Sequence, residues 1–453
     1  MATNQILAFE KPMLANRIVE YEHTEIRAQD SNYNVAVEIR LEIRNENVYT
    51  RPSDSYLLVE GELNLAAGGH YAANAEVTLI KEGILYLFSN LRYYINEKEV
   101  ESIYYPGQTQ NMLSYLLEDN GYDKTVALSH CGSKDNHLDA TTANNTAGYT
   151  LRKGLILSSN PTGRFSFYIP LRRLFGFFRD FDELVFGTTQ RLTLVRLANE
   201  NDAIFRNNAA GAGSVELSKV SWFVPHIRGT DETNLELLKL KQSKKSIDIA
   251  FRGLSSSRIS MPQDNSFTWK LSAKTAPEVP RYLLLAFQTG KENNQEQNPA
   301  LFDHCNLTNL RVLLNERQYP STEYTANFAL NQFSRIYVDA VQFKSKFFEV
   351  ESTEKEIVSA SGLNMTEFKA LFPIYVVDLS KQLDRVKRSS LDITIEARFG
   401  ANIEANTVAY CVTISDKFLK LESDGERLIL VQQIKLKFKK KNNAYIYMEK
   451  IRK

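Results

Sequence analysis

The chain has 453 residues, 43% hydrophobic and 24% charged, with a net charge of +1. This exceeds one ordinary core and points to two domains of about 200 residues each. Near-neutrality excludes a polyelectrolyte binder, so any nucleic-acid contact needs a local patch.

Three cysteines, Cys131, Cys305 and Cys411, make no disulfide framework and suit a reducing compartment. No run of 18 apolar residues exists, so no membrane span is expected. The opening MATNQILAFEKPM lacks a basic-then-apolar leader. Abundant Phe and Tyr favour pleated, half-buried surfaces.

Along the chain, Val35, Val37, Ile39, Leu41 and Ile43 alternate with smaller or polar neighbours, the period of a strand with one buried face. A turn at Arg51-Pro52-Ser53-Asp54 precedes the strand SYLLVEGEL. In NLRYYINE, residues 90–97, Leu91, Tyr93 and Ile95 share one face. Asn96-Glu97-Lys98 can turn, and EVESIYY can return as the partner strand. After Pro106, the segment TQNMLSYLLED has helical spacing, with Thr109 as a candidate N-cap.

Residues 120–163 are rich in Gly, Asn, Ser, Thr and Asp and read as a long excursion. Within it, HCGSKDNH (130–137) offers two histidines, a cysteine and an aspartate. It lacks paired ligand spacings, so a plain polar loop is the preferred reading over a metal site. RFSFYIPLRRLFGFFRDF could be a base-stacking surface. The preferred reading is a core-packed strand and turn, with Arg172 and Arg173 solvated or paired with acids.

QRLTLVRL and VELSKVSWFV are further strands. AAGAGS (209–214) lacks the GK[ST] ending of a phosphate loop and reads as a flexible hairpin loop. A polar connector at 228–245 marks the domain boundary, and the strands SIDIAFRGL and PRYLLLAFQTG follow. His304 and Cys305 are adjacent; in a strand they would point to opposite faces and could not pair as base and nucleophile. No HxH of a cupin-type enzyme occurs.

NLRVLLNE (309–316) repeats five of the eight residues of NLRYYINE at a separation of 219. Its surroundings recur in order. Tyr56-Leu57-Leu58 matches Tyr282-Leu283-Leu284, and Pro106 matches Pro320, each followed by a helical segment. FYIPL (167–171) matches IYVVDL (374–379), and LTLVRL (192–197) matches LDITIEARF (391–399). Separations that shrink steadily along the chain are the mark of one unit used twice, with small insertions. Leu91, Tyr93 and Ile95 are then expected to stand where Leu310, Val312 and Leu314 stand. The unit's many strands and single long excursion suit an eight-stranded jelly roll better than an immunoglobulin-type sandwich.

The tail KLKFKKKNNAYIYMEKIRK places Lys435, Lys437, Lys439, Lys440, Lys441, Lys450, Arg452 and Lys453 against Glu449 alone, with aromatics interleaved. It can contact packaged nucleic acid through counterion release, carry a nuclear-import signal, add a strand to a neighbouring subunit, or stay a solvated tail.

SYLLVEGEL, LYLFSNLRYYINEKEVES, RFSFYIPLRRLFGFF, RLTLVRLANENDAIF, PRYLLLAFQTG, NPALFDHCNLTNLRVLLNERQYP and LDITIEARF together resemble double jelly-roll major capsid proteins, in particular those of Polinton-type elements and adintoviruses. The likeness covers roughly residues 30–416. It implies an all-β chain of two tandem eight-stranded jelly rolls with short helices in the loops. The expected division is an N-terminal arm at 1–30, a first jelly roll at 31–230, a second at 231–416 and a basic tail at 417–453.

The resemblance also implies a homotrimer, six jelly rolls approximating a hexagon, that tiles an icosahedral virion. Its partners would be other copies and a minor or penton capsid protein, with packaged nucleic acid at the tail. It carries no catalytic residues, cofactor or metal. The excursions at 120–163 and 344–370 are then candidates for exposed or inter-subunit loops. The alternative is a two-domain β-sandwich attachment protein that binds a carbohydrate or receptor.

Overall fold

The computed structural model describes residues 18–30, 32–44, 49–243, 246–271, 278–349, 361–381, 391–423 and 428–433. The alternating segments become strands with one face inward, except that Val35 is exposed in a turn ahead of the strand Glu38–Ile43. In β4 (Tyr56–Leu65), Leu57, Val59 and Leu63 are buried, with half-exposed residues between them. Burying one such side chain stabilises the fold by about 1.5–3 kcal/mol.

Ahead of β4 lie β1 (Ile18–Arg27), β2 (Glu38–Ile43) and β3 (Tyr49–Thr50). After it come β5 (Val77–Leu79), β6 (Phe88–Ile95), β7 (Lys98–Tyr104), β8 (Arg164–Pro170), β9 (Gln190–Arg196), β10 (Ile204–Arg206) and β11 (Gly213–Gly229). The second half holds β12 (Ile247–Ser260), β13 (Ser266–Lys270), β14 (Val279–Thr289), β15 (Leu307–Leu314), β16 (Arg317–Thr325), β17 (Tyr375–Asp378), β18 (Ile393–Phe399), β19 (Thr407–Ser423) and β20 (Leu428–Gln433).

The first half pairs its strands in the orders β1-β11-β4-β8 and β2-β9-β6-β7. The second half pairs them as β12-β19-β14-β17 and β13-β18-β15-β16. Leaving aside the short β3, β5 and β10 and the terminal β20, each half has two antiparallel four-stranded sheets, ordered 1-8-3-6 and 2-7-4-5 by position. That is the jelly-roll topology, twice.

The repeated phrase holds at atomic detail. Leu91, Tyr93 and Ile95 face Leu194, Leu192 and Gln190 of β9. Leu310, Val312 and Leu314 face Ala397, Ile395 and Ile393 of β18, a constant offset of 203 from those partners. All six repeat residues are buried.

The shared Asn-Glu pair makes a two-residue turn with both φ angles positive, 48° and 63° at Asn96-Glu97 and 46° and 68° at Asn315-Glu316. Such turns match the twist of paired strands, and Asn tolerates the left-handed conformation. The side chains explain why the repeat keeps Asn. Asn96 Oδ1 accepts from the Thr189 amide at 2.9 Å, and Asn315 Oδ1 accepts from the Asp392 amide at 2.9 Å. Each Asn thus ties its hairpin to the segment entering the neighbouring strand.

Several expectations need correction. Pro106 opens the helix Pro106–Leu117, whereas Pro320 lies inside β16, so the two prolines are not equivalent. Thr109 is inside that helix rather than capping it; its hydroxyl donates to the Tyr104 carbonyl at 3.1 Å. β1 lies within the segment assigned to an N-terminal arm, because it pairs with β11. β19 continues past residue 416 because β12 and then β20 pair with its far end.

The 120–163 excursion is no loose loop either. It contains the helix Gly148–Ile156, with Tyr149, Arg152 and Ile156 buried. AAGAGS is not a free hairpin: Gln295 of the second half accepts from the Gly213 amide at 2.8 Å and donates to its carbonyl at 2.8 Å.

Strand direction gives each jelly roll two unlike ends. One carries the Asn-Glu turn and the end of the last long strand; in the first half it also carries the start of β1 and the connector helix Asp231–Gln242. The other carries the β4–β6, β7–β8 and β9–β11 connections and their counterparts. The two halves stand the same way up. Arg206 donates its amide to Gln295 at the loop end, and Lys98 reaches the Leu430 carbonyl at the turn end.

Asn315→Ala is expected to lower stability by about 1–2 kcal/mol, from the lost bond and the strained φ. Asn315→Gly should lose less. Urea unfolding of the three chains measures this, and equal midpoints would contradict the role given to Asn315.

Candidate assembly surfaces

The two halves meet where β7 and the short helix Gly176–Asp180 pack on β12. Glu101 of β7 is buried in this junction. It accepts from the Leu254 amide at 2.8 Å and the Phe177 amide at 3.0 Å. Burial pushes its pKa up, opposed by Lys417 and these amides. A buried carboxylate without such partners would be costly, so the bonds fix how the halves dock.

Gly176 permits the approach: a Cβ there would stand 1.8 Å from the Arg252 carbonyl oxygen. Asp180 accepts from the Arg252 amide at 2.8 Å and from its guanidinium at 2.8 and 2.6 Å. At the loop end, Tyr86 and Tyr115 donate to the Pro299 and Ala300 carbonyls at 2.8 and 3.1 Å.

The counterpart of this docking face in the first half is open. Taking Leu57 and Leu283 as equivalent, the registers put His23, Thr24 and Glu25 of β1 where Arg252, Gly253 and Leu254 stand in β12. Beside them lies an aromatic cluster. Tyr56 packs against Tyr168 at 4.3 Å, Phe223 at 5.0 Å and His23 at 5.7 Å. Tyr21 and Tyr168 are 44% and 39% exposed.

In the second half the same face is covered. Tyr282 packs edge-on against Phe343 of the helix Ser334–Phe347 at 5.2 Å. The corresponding first-half helix, Pro106–Leu117, packs between the halves instead, with Tyr115 on Phe372 at 4.0 Å. Among the described residues, no helix covers the aromatic cluster of the first half.

The residues singled out from the sequence divide clearly. HCGSKDNH is structural rather than a polar surface loop, since His130, Cys131 and Asp135 are buried. Arg152 and Asp135, both with fully buried side chains, form a two-pronged ion pair at 2.8 and 2.9 Å. Asn298 of the second half adds a bond to Asp135 at 2.7 Å.

His130, Glu82 and Glu118 could face a metal ion, their ligand atoms lying within 4.8 Å of one another. The chemistry of the set does not suit one. Arg173 already bonds all three, and Lys81 pairs with Glu118 at 3.2 Å. His130 is held neutral, far below its usual pKa, by burial and then by Arg173 and Lys81. Two cations balance two carboxylates, so this is a closed ionic node. Arg172 is exposed.

His304 and Cys305 sit in a turn rather than a strand; Cys305 has φ 46° and Asn306 φ 54°. The Cys305 thiol meets the Thr289 hydroxyl at 3.8 Å, and burial pushes it up to about 12. His304 stacks on Phe328 at 4.4 Å. The basic residues Lys435, Lys437, Lys439, Lys440, Lys441, Arg452 and Lys453 lie outside the described residues. Among the described residues, no helix is long and apolar enough to cross a membrane.

Two upright jelly rolls joined side by side in one chain define a double jelly roll. A profile of the double jelly roll-like domain matches residues 77–419, and the chain belongs to that family. Comparison with curated protein sequences gives no significant match.

Among solved structures, VP54 of PBCV-1, fitted into a reconstruction of the virophage Sputnik, aligns with TM-score 0.57 at 9% identity, covering 91% of this chain and 97% of that one. The Faustovirus major capsid protein aligns with TM-score 0.52 at 8% identity, covering 89% and 90%. The mavirus major capsid protein aligns with TM-score 0.51 at 11% identity, covering 91% and 90%. At such identities the likeness is one of fold.

Arg152→Met is expected to destabilise the chain by about 3–5 kcal/mol, because it strands a buried carboxylate. Thermal or urea unfolding reads the loss. A change under about 1 kcal/mol would show that the pair does not anchor this excursion.

Proposed function

We propose that the chain is the major capsid protein of a DNA virus or a Polinton- or adintovirus-like element, working in the virion after assembly inside the host cell. Three copies form a capsomer of six jelly rolls, and capsomers tile an icosahedral shell, with a minor or penton protein at the vertices. The family membership and the capsid proteins among its structural neighbours support this reading.

The observation that carries it is the docking face used once and left open once. β7 and the turn after β8 dock on β12 within the chain. The repeat provides β16 as a second docking edge, and β1 with its aromatic cluster as a second receiving face. An edge on the second half of one copy then meets a face on the first half of the next. Such a head-to-tail contact closes into a ring when the rotation allows. With two near-equal jelly rolls per chain, three chains complete a six-sided ring.

In this reading the tail works on the inner side of the shell. β19 runs away from the loop end, and β20 folds back along it before the basic segment 435–453. Lysines interleaved with aromatics there suit non-sequence-specific contact with packaged nucleic acid. The attachment-protein reading has no comparable use for an open face that copies an internal junction.

Purified protein is expected at about three times 51.7 kDa by mass photometry, or as shells in electron micrographs. A monomer at micromolar concentration in every salt condition would sink the reading. Tyr168→Glu, on the open face, should shift the protein towards monomer while leaving its unfolding midpoint within about 0.5 kcal/mol of the parent's. An unchanged trimer would place the contact elsewhere. Deleting residues 435–453 should lower the nucleic-acid content or yield of particles, and identical particles would remove the tail's role.

A further inference from the structure

The loop ends of the two jelly rolls are built differently. In the first half, the β4–β6 connection supplies β5 and the β9–β11 connection supplies β10, and the two pair. Val77, Leu79, Ile80, Ile84, Ile204 and Phe205 are fully buried there, so this end is plugged. In the second half the corresponding connections, 290–306 and 400–406, are shorter than 66–87 and 197–212. They carry no such ribbon, and a cleft of about 980 Å³ stands open among the β14–β15, β16–β17 and β18–β19 connections. That is the size of a small-ligand site.

Its lining is polar but close to charge-balanced. Asp303 is neutralised by Lys291, at 2.7 Å from both carboxylate oxygens. Lys369 donates to Asn331 Oδ1 at 2.7 Å and shares the cleft with Glu404. The Cys305 thiol stays protonated. His304 is held below its usual pKa by burial, then by Lys369, so its ring is neutral at physiological pH. Its Nδ1 accepts from the Asn306 amide at 2.9 Å, which leaves the proton on Nε2. That Nε2–H has no partner among the described residues.

Thr289, Thr366 and Asn402 add neutral donors and acceptors. Met365, Ala370 and Ile403 add apolar surface between them. Under the ring of His304, Phe328, Phe333 and Phe368 continue a ladder of stacked rings, which holds it in place.

Neutral donors and acceptors alternating with small apolar patches suit a ligand with hydroxyls on one edge and C–H groups on its faces. A strongly anionic ligand would meet Glu404, and Asp303 already holds Lys291 as its counter-ion. A purely apolar one would leave buried polar groups unsatisfied. We propose that this cleft is a binding site for a neutral saccharide, displayed at the end of the molecule opposite the Asn-Glu turns. That it faces outward rests on the capsid reading; the saccharide assignment stands on the cleft alone.

The full chain is tested on an array of neutral and sialylated glycans, and hits are measured by saturation-transfer NMR. Ala401→Trp is run in parallel, because Ala401 is exposed and lines the cleft, so an indole there obstructs it without entering the core. Neutral glycans are expected to bind, with about a tenfold or greater loss in Ala401→Trp. No neutral glycan binding, equal binding in Ala401→Trp, or binding confined to sialylated glycans would each overturn the proposal. Electron microscopy of the same samples separates the two readings. Glycan binding without shells or trimers refutes the capsid role and leaves the cleft standing, whereas shells without glycan binding do the reverse.

Discussion

The contact of β7 and the Gly176–Asp180 turn with β12 is the constraint on which the rest depends. Glu101 has to receive amides from both halves at once, and Gly176 has to pass the Arg252 carbonyl without a side chain. Few relative placements of two sandwiches satisfy both conditions. Those that do hold the jelly rolls upright, side by side and facing the same way. The two ends of the molecule stay distinct as a result, and one flank of the first half has no covering helix among the described residues.

The halves share their sheets but not their coverings. The excursion after β7 sends its helix between the halves, where Tyr115 reaches Phe372 and the Ala300 carbonyl. The excursion after β16 lays its helix over its own sheet, on Tyr282. The excursions also join each other, with Lys134 bonded to the Gly362 carbonyl at 2.8 Å and to Glu367 at 3.0 Å. Duplication thus gave two equal scaffolds, and divergence in the connections made one face closed, one open, one end plugged and the other hollow. Loops can diverge in this way because the sheets beneath carry the core.

What could be read from the sequence followed the same division. Period-two alternation marked β2 and β6, because one buried face per strand is a local requirement. The Asn-Glu turns were legible because a tight hairpin restricts its residues. The excursions were misread for a physical reason. Gly, Asn and Ser within 120–163 look like loop composition, yet Arg152 and Asp135, 17 positions apart, close an ion pair that only tertiary structure reveals. The same holds for His130, whose partners Arg173 and Glu82 are distant in sequence. Composition reports local preference, and these buried contacts override it. The open aromatic face was illegible too, since Tyr56 and Phe223 alternate like any core-facing residues and only the absence of a covering helix distinguishes them.

The two ends answer different physical demands. A jelly roll sorts its connections into two separate ends through strand direction alone. Every odd-numbered connection of the eight strands falls at one end and every even-numbered one at the other. Here the connections that diverged most, after β4, β7 and β9 and after β14, β16 and β18, all lie at the end opposite the Asn-Glu turns. Changes there leave the strands of the sheets in place, while the helices those connections carry set what covers Tyr282 and what packs between the halves. The loop ends can therefore vary while the sheets beneath them stay fixed. That separation follows from strand direction, and the fold supplies it before any particular residue is chosen.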